Sequence, residues 1–264
     1  MQNSNEFISD DGATEFKIRI ACECYSDSVL VRDVLAQLPV LNGKLKWGVP
    51  REPDPLKLID AELVLIVSDR TNLLTAVGRS VIYRNLGLAH LLIYVQEETD
   101  LPVEVIPGLV LPRSQLAGGL LRLTQVLLEP TISQGLVGVD WADTRSLLTM
   151  GGQIVLENAT ASQPENAIQA AIRQLQARST GRVIHGLQVA ILCHEAKLAT
   201  RHIGELTWAC RDATGDDTCI IVAAPLLSWP DHDSYEVRLF ASVECTGAHW
   251  PRSLFLNFSK GMDV

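Results

Sequence analysis

Along its central part, the chain alternates between strand-like and helix-like hydrophobic patterns. Short apolar or alternating runs are typical of strands, whereas apolar residues spaced three and four apart are typical of amphipathic helices. Strands are predicted at 16–24, 62–67, 89–95, 103–111, 153–156, 187–193, 218–224 and 235–243. Helices are predicted at 28–38, 71–86, 114–128, 140–149, 164–177 and 200–211. The alternation predicts an α/β fold with a mostly parallel sheet.

Turn and capping residues predict where several of these elements begin and end. Residues 39–55 are rich in Pro and Gly and predict a loop, with at most a short strand around 44–47. Gly87 and Pro130 are expected to end the helices that precede them. Asp140 is expected to cap the helix that follows it. The last two strands lie close in sequence, which predicts a hairpin-like connection between them.

The order of the elements predicts two domains. A reduced Rossmann-like domain with a mostly parallel sheet is expected over 16–135, including a central helix, and a mixed α+β domain over 136–245. The boundary is placed within 128–139. Residues 1–15 are expected to be a disordered N-terminus, and 246–264 a mostly irregular tail.

The composition limits the classes of partner. With 31 acidic and 22 basic side chains, the formal net charge is −9, which opposes a phosphate backbone and argues against nucleic-acid binding. The polar, acidic start of the chain carries no Lys or Arg before Phe16 and does not resemble a signal peptide. Apolar runs fall short of the roughly 20 residues that cross a bilayer. The expectation is a soluble cytoplasmic protein without a transmembrane segment.

The cysteine and histidine pattern does not predict a metal site. The six cysteines are scattered, at 22, 24, 193, 210, 219 and 245, which indicates reduced side chains that fill the core. Cys22 and Cys24 form a C-x-C pair with no second pair nearby. His194 and His202 flank a helix start without a third ligand at a suitable spacing, so solvated or capping roles are expected.

Three stretches of the second half resemble FtsZ, the bacterial relative of tubulin. Residues 138–148 read GVDWADTRSLL and resemble the NVDFADV(R/K)TVM segment that contains the synergy loop of that family. Residues 159–161, before an acidic, alanine-rich helix, are similar to the segment GVASGE. The order of the segments between 187 and 239 is also similar. The resemblance extends from about residue 60 to 245 and implies an FtsZ/tubulin-like fold.

The resemblance assigns a role to two aspartates. In the family, the aspartates of N-x-D-x-x-D reach the γ-phosphate of GTP on the next subunit and polarise the attacking water. The matching positions are Asp140 and Asp143, whereas the asparagine is replaced by Gly138. A purely structural reading stays open, in which Asp140 caps a helix and Asp143 lies in its first turn.

The glycine-rich phosphate loop of the family is missing. In FtsZ, the loop GGGTGTG lets backbone N–H groups approach the phosphates. The corresponding residues here are Ser68, Asp69, Arg70, Thr71 and Asn72. The first strand-to-helix turn also lacks glycine, and the segment between the two turns is short. GTP binding in the usual manner is therefore not expected, although Ser26, Ser28, Arg70 and Thr71 could bind an anion in another way.

The resemblance therefore implies a truncated FtsZ-like protein whose first domain is a degenerate GTPase-like domain. It is expected to be a pseudo-GTPase without a cofactor that binds FtsZ or another FtsZ-like protein. It would cap filaments or modulate their assembly in cell division, with Asp140 and Asp143 acting on a neighbouring subunit. Two alternatives stay open, a divergent self-assembling GTPase that binds GTP or GDP, and a scaffold that forms a homo-oligomer or binds an unrelated partner.

Overall fold

A computed structural model describes most of the central part of the chain. The described residues are 16–22, 28–29, 31–33, 45–49, 58, 60–97, 107–132, 135–193, 198–225 and 234–245. The predictions for 1–15 and 246–264, and those for Ser26, Cys24 and His194, lie outside them. Among the described residues, no helix has the length and apolar character needed to cross a membrane.

Ten strands form one sheet in the described part of the chain, in the order β2-β1-β3-β4-β5-β7-β10-β8-β9-β6. The strands are β1 Phe16–Cys22, β2 Leu45–Gly48, β3 Leu63–Ser68, β4 His90–Gln96, β5 Gly108–Pro112, β6 Gly135–Val137, β7 Gln153–Ala161, β8 Ile184–Leu192, β9 Cys219–Pro225 and β10 Tyr235–Val243. The sheet is parallel except that β10 is antiparallel to β7 and β8, and β6 is antiparallel to β9. The predicted α/β class and mostly parallel sheet are confirmed.

Helices cover both faces of the sheet. They include α1 Leu73–Asn85, α2 Leu116–Leu127, α3 Glu129–Ile132, α4 Trp141–Met150, α5 Pro164–Arg178 and α6 Thr200–Thr214, and residues 28–29 and 31–33 are helical as well. Phe240 packs in the cluster that contains residues of α2 and α4, whereas its neighbours Leu239 and Ala241 pack in the cluster of α5 and α6. Because successive strand residues point to opposite faces, α2 and α4 lie on one face and α5 and α6 on the other.

The helices that pack near β5 and β7 are divided between the same two faces of the sheet. The paired residues Leu109 and Ile154 both pack in the cluster of α2. The next residue of β5, Val110, packs against the cluster of α1, and the next residue of β7, Val155, packs in the cluster of α5. α1 therefore shares a face with α5 and α6.

One sequence prediction about how the strands connect is wrong. The predicted hairpin of the last two strands does not form, because β10 lies between β7 and β8 while β9 pairs with β8 and β6. Eight of the nine residues of β10 are buried. A strand at the centre of the sheet buries both of its faces in this way, whereas a hairpin at the edge of the sheet would leave more of its residues exposed. The helix predicted to end before Pro130 does so, since α2 ends at Leu127. Pro130 lies in the separate short helix α3, where an early helical position needs no N–H donor.

Other boundaries differ in extent. The short strand predicted around 44–47 is β2, whereas β6 was not predicted from the sequence. β7 continues to Ala161, five residues beyond the predicted end. The family-like segment 159–161 therefore belongs to a strand. Exposed polar residues in the second half of β7 conceal its strand character in the sequence.

A buried charge cluster joins α3 to β10. The Arg238 guanidinium donates to Glu129, and it also donates to both carboxylate oxygens of Glu236, at 2.8 and 3.0 Å. Burial raises the pKa of the Glu129 carboxyl, and the nearby Arg238 only partly offsets this. Burial alone would lower the pKa of Arg238, but its two carboxylate partners outweigh that effect and raise it. One buried cation thus serves two carboxylates.

Candidate functional site

The turn between β3 and α1 contains the residues that the sequence resemblance predicts to correspond to the family's phosphate loop. Ser68 is buried, and its hydroxyl donates to the carbonyl of Asp69 at 3.1 Å. Asp69 Oδ1 accepts the backbone N–H of Asn72 at 3.1 Å and its side-chain amide at 3.2 Å. Asn72 is the N-cap residue of α1. A fixed carboxylate of the chain itself therefore lies beside the helix N-terminus, where an incoming phosphate would be repelled.

This turn lies at a switch point of the sheet. The helical residue Val31, which follows β1, packs on the α2 face, whereas α1, which follows β3, packs on the opposite face. β1 and β3 are adjacent parallel strands. Parallel sheets commonly bind ligands in the crevice that such diverging connections leave at the carboxyl ends of the strands. Asp69, the first residue after β3, lies at this end of the sheet.

We expect Asp69→Ala to lower the free energy of unfolding by about 1 kcal/mol, because both hydrogen bonds from Asn72 to the Asp69 carboxylate are lost. Asp69→Asn keeps an acceptor oxygen and should lose much less, so it is the matched control. Urea denaturation of the two variants measures the difference. Equal free energies of unfolding for Asp69→Ala and Asp69→Asn would mean that these contacts do not stabilise the turn.

Asp140 and Asp143 lie together at the start of α4. Asp140 is the N-cap residue, and its Oδ1 accepts the backbone N–H of Ala142 at 3.0 Å, which confirms the predicted cap. Asp143 lies in the first turn and is exposed. Within the described residues, its carboxylate makes no hydrogen bond or ion pair. Both carboxylates therefore face solvent, and the Asp143 carboxylate is free to meet another molecule.

The residues before Asp140 also present an open surface. Gly138 is exposed, and a Cβ atom placed on it would have no neighbour within 4 Å, so the asparagine of the family pattern would fit there. Leu136, on the edge strand β6, has an exposed fraction of 51%. A single exposed apolar side chain is common on protein surfaces, so Leu136 does not by itself mark a contact surface.

Contacts with the amino ends of the parallel strands fix the position of α4. Trp141 packs edge-on against Phe16, the first residue of β1, with ring centroids 4.7 Å apart. Arg145 donates to the carbonyl of Gly87, which precedes β4. The start of α4 is thus at the end of the sheet opposite to Ser68. The six residues of β3 span roughly 17 Å, so the two candidate sites lie at opposite ends of the molecule.

The buried side-chain amide of Gln188 also holds α4 in place, and its role was not predicted from the sequence. The Thr144 hydroxyl donates to Gln188 Oε1 at 2.9 Å, and Gln188 Nε2 donates to the carbonyl of Val126 at 2.7 Å. Gln188 is fully buried in β8. These bonds join α4, the central sheet and the end of α2. A glutamine inside an otherwise apolar strand was the signal that could have indicated this network.

The structure gives no support to a metal centre in the part of the chain that it describes. No group of three or more His, Cys, Asp or Glu side chains there is arranged to hold a metal ion. His202 is buried at the start of α6, and its Nδ1 accepts the backbone N–H of Ala199 at 3.3 Å. His202 thus has a capping contact.

Comparison with known proteins identifies the fold. No protein-family model and no curated protein matches the chain. Two FtsZ structures from M. jannaschii, one of a mutant and one described as an empty dimer, each match with a TM-score of 0.62 and 12% identity. They cover 86% and 89% of this chain, and 91% and 94% of their own chains. A CetZ from Methanosaeta thermophila matches with a TM-score of 0.55 and 11% identity, over 92% of this chain and 90% of its own. The predicted FtsZ/tubulin-like fold is confirmed.

Proposed function

We propose that this chain is a nucleotide-free FtsZ-like subunit of the cytoplasm that binds the ends of filaments formed by FtsZ or another FtsZ-like protein. Its Asp140 end would contact a nucleotide-bearing neighbour, whereas its Asp69 end would not recruit a further subunit. Such a subunit caps a filament and modulates assembly in cell division. It assists GTP hydrolysis in its neighbour rather than in itself.

The contrast between the two ends of the sheet carries this proposal. At the carboxyl end, the Asp69 carboxylate accepts two hydrogen bonds beside the N-terminus of α1 and adds a negative charge to the crevice. A phosphate that bound there would compete with the Asp69 carboxylate for the N–H donors of Asn72. It would also lie beside that carboxylate, so that two anions would repel each other. This supports the absence of a bound nucleotide.

Exposed residues at the amino end of the sheet support the proposed contact with a second subunit. Asp143 is exposed in the first turn of α4, and α4 is held by the buried contacts of Thr144 and Leu147. Carboxylates on a rigid helix orient a water molecule with little loss of side-chain freedom. One of the structures with the same fold is described as an FtsZ dimer. By analogy, we propose that this chain also contacts an FtsZ-like subunit.

The first experiment separates a pseudo-GTPase from an active one. Calorimetry with GTP and GDP, combined with analysis of nucleotide released on denaturation, is expected to detect no nucleotide at the β1/β3 crevice. The Asp69→Asn variant, which keeps the hydrogen-bond acceptor without its charge, is the matched control. Micromolar GTP binding that Asp69→Asn strengthens would favour the divergent GTPase instead.

The second experiment tests the partner. Substoichiometric amounts of the chain added to purified FtsZ are expected to lower the sedimentable polymer and to change the rate of GTP hydrolysis. Capping acts at filament ends, so the effect should saturate well below one subunit of this chain per FtsZ subunit. An FtsZ that is neither bound nor altered in assembly or hydrolysis would refute the proposal.

A further inference from the structure

A second polar cleft lies between β5 and β7, remote in the sheet order from the β1/β3 crevice. The two strands pair only at Gly108 with Gln153 and at Leu109 with Ile154. Beyond these pairs the strands separate and leave a cleft of about 650 Å³. That volume lies within the range of roughly 300–1,000 Å³ found for small-molecule sites.

Arginine side chains from both faces of the sheet line this cleft. Arg122 comes from α2, Arg178 from the end of α5, and Arg182 from the loop that follows. Arg182 donates to the Gln153 side chain and to the Arg178 carbonyl, and Arg178 donates to Glu157 at 2.7 Å. Arg122 makes no hydrogen bond or ion pair with any residue that the structure describes. With Glu157 as the one acidic lining residue, the described lining has an excess positive charge in a chain of net charge −9.

The cleft also coincides with a switch point of the sheet. β5 continues into α2 on one face, and β7 continues into α5 on the other face. β5 and β7 are adjacent and parallel. The same rule that marks the β1/β3 crevice therefore marks this one as a place for a ligand. The first turn of α2 carries no acidic residue, and Glu165 in the first turn of α5 is not among the residues that line the cleft. The arginines come from the middle of α2, the end of α5 and the loop that follows.

We propose that this cleft binds a small polyanion that carries two or more phosphate groups. Guanidinium groups suit phosphate because their planar N–H donors match its oxygens, and several charges in one cleft favour a multivalent anion over a single carboxylate. The side chains of Gln96, Gln115 and Thr180 add polar lining. No aromatic side chain is present in the described lining, so recognition rests on the phosphates rather than on stacking with a base.

Calorimetry with inorganic tripolyphosphate tests the proposal on the intact chain. The wild type is expected to bind, with an affinity that falls as salt increases. Arg122→Gln should weaken binding about tenfold, because it removes one charge-assisted contact without breaking a recorded contact within the protein. Glu157→Gln should tighten binding about threefold, because it removes the carboxylate that competes for Arg178. Arg211→Gln, on the exposed end of α6, is the charge-matched control and should bind as the wild type does.

The outcomes separate this inference from the proposed function. Parallel titrations with ATP and GTP distinguish a nucleotide from free polyphosphate as the source of the phosphates. Nucleotide binding that Arg122→Gln weakens about tenfold belongs to this cleft and supports the inference, whereas nucleotide binding that is unchanged in Arg122→Gln and responds to Asp69→Asn contradicts the proposed function alone. Absence of tripolyphosphate binding, or equal losses in Arg122→Gln and Arg211→Gln, would overturn the inference.

Discussion

Replacing Arg238 by methionine is expected to lower the free energy of unfolding by about 3–5 kcal/mol, the cost typical of breaking a buried ion pair from one side. Arg238 is 3% exposed, as is its partner Glu129. Without the guanidinium, Glu129 must stay buried as an uncompensated anion or take up a proton. Glu236 loses its partner as well. Chemical denaturation at neutral pH measures the loss.

Two further variants separate the charge from the packing. Arg238→Met combined with Glu129→Met removes both buried charges and should recover much of the stability, since buried pairs replaced by apolar residues of similar size often cost little. Arg211→Met breaks an exposed pair with Asp216, at 3.7 Å, and should change stability by less than about 1 kcal/mol. A loss in Arg238→Met no larger than that in Arg211→Met would contradict the assigned role of the buried cluster.

The elements of this fold were predictable from local pattern, but their pairing was not. The bounds of β10 follow directly from its hydrophobic run, Tyr235–Val243. Its position between β7 and β8 depends on partners that lie far away in sequence, and local hydrophobicity carries no information about which of two strands pairs with it. The hairpin prediction failed for this reason.

The candidate site was predictable to a similar degree. The Asp140 cap follows from local rules of helix initiation and was confirmed. The negative charge of Asp69 was also readable, but its hydrogen bonds to Asn72 require the turn geometry. Gln188 holds α4 through Thr144, which lies 44 residues away. No local pattern joins two such positions, so the sequence could indicate the carboxylates but not what holds their helix.

Asp143→Asn is expected to reduce the stimulation of GTP hydrolysis in a neighbouring FtsZ subunit by about a hundredfold, within the range for the loss of a positioned acid or base. The neutral amide keeps the shape of the side chain but orients and polarises water less strongly than a carboxylate. Because Asp143 is exposed, the variant should retain its stability and its binding to FtsZ. Asp212→Asn, exposed on α6, is the matched control, and steady-state phosphate release is the measurement.

Asp140 requires a different substitution, because its carboxylate also caps α4. Asp140→Ser keeps a side-chain oxygen for the N–H of Ala142 and removes the charge, so it separates the capping role from the role in hydrolysis. If the charge acts on the neighbour's nucleotide, Asp140→Ser should keep its thermal stability and still lose stimulation. Stimulation that persists in both Asp143→Asn and Asp140→Ser would leave only the capping role at this end of the sheet. The effect on filaments would then come from contact alone.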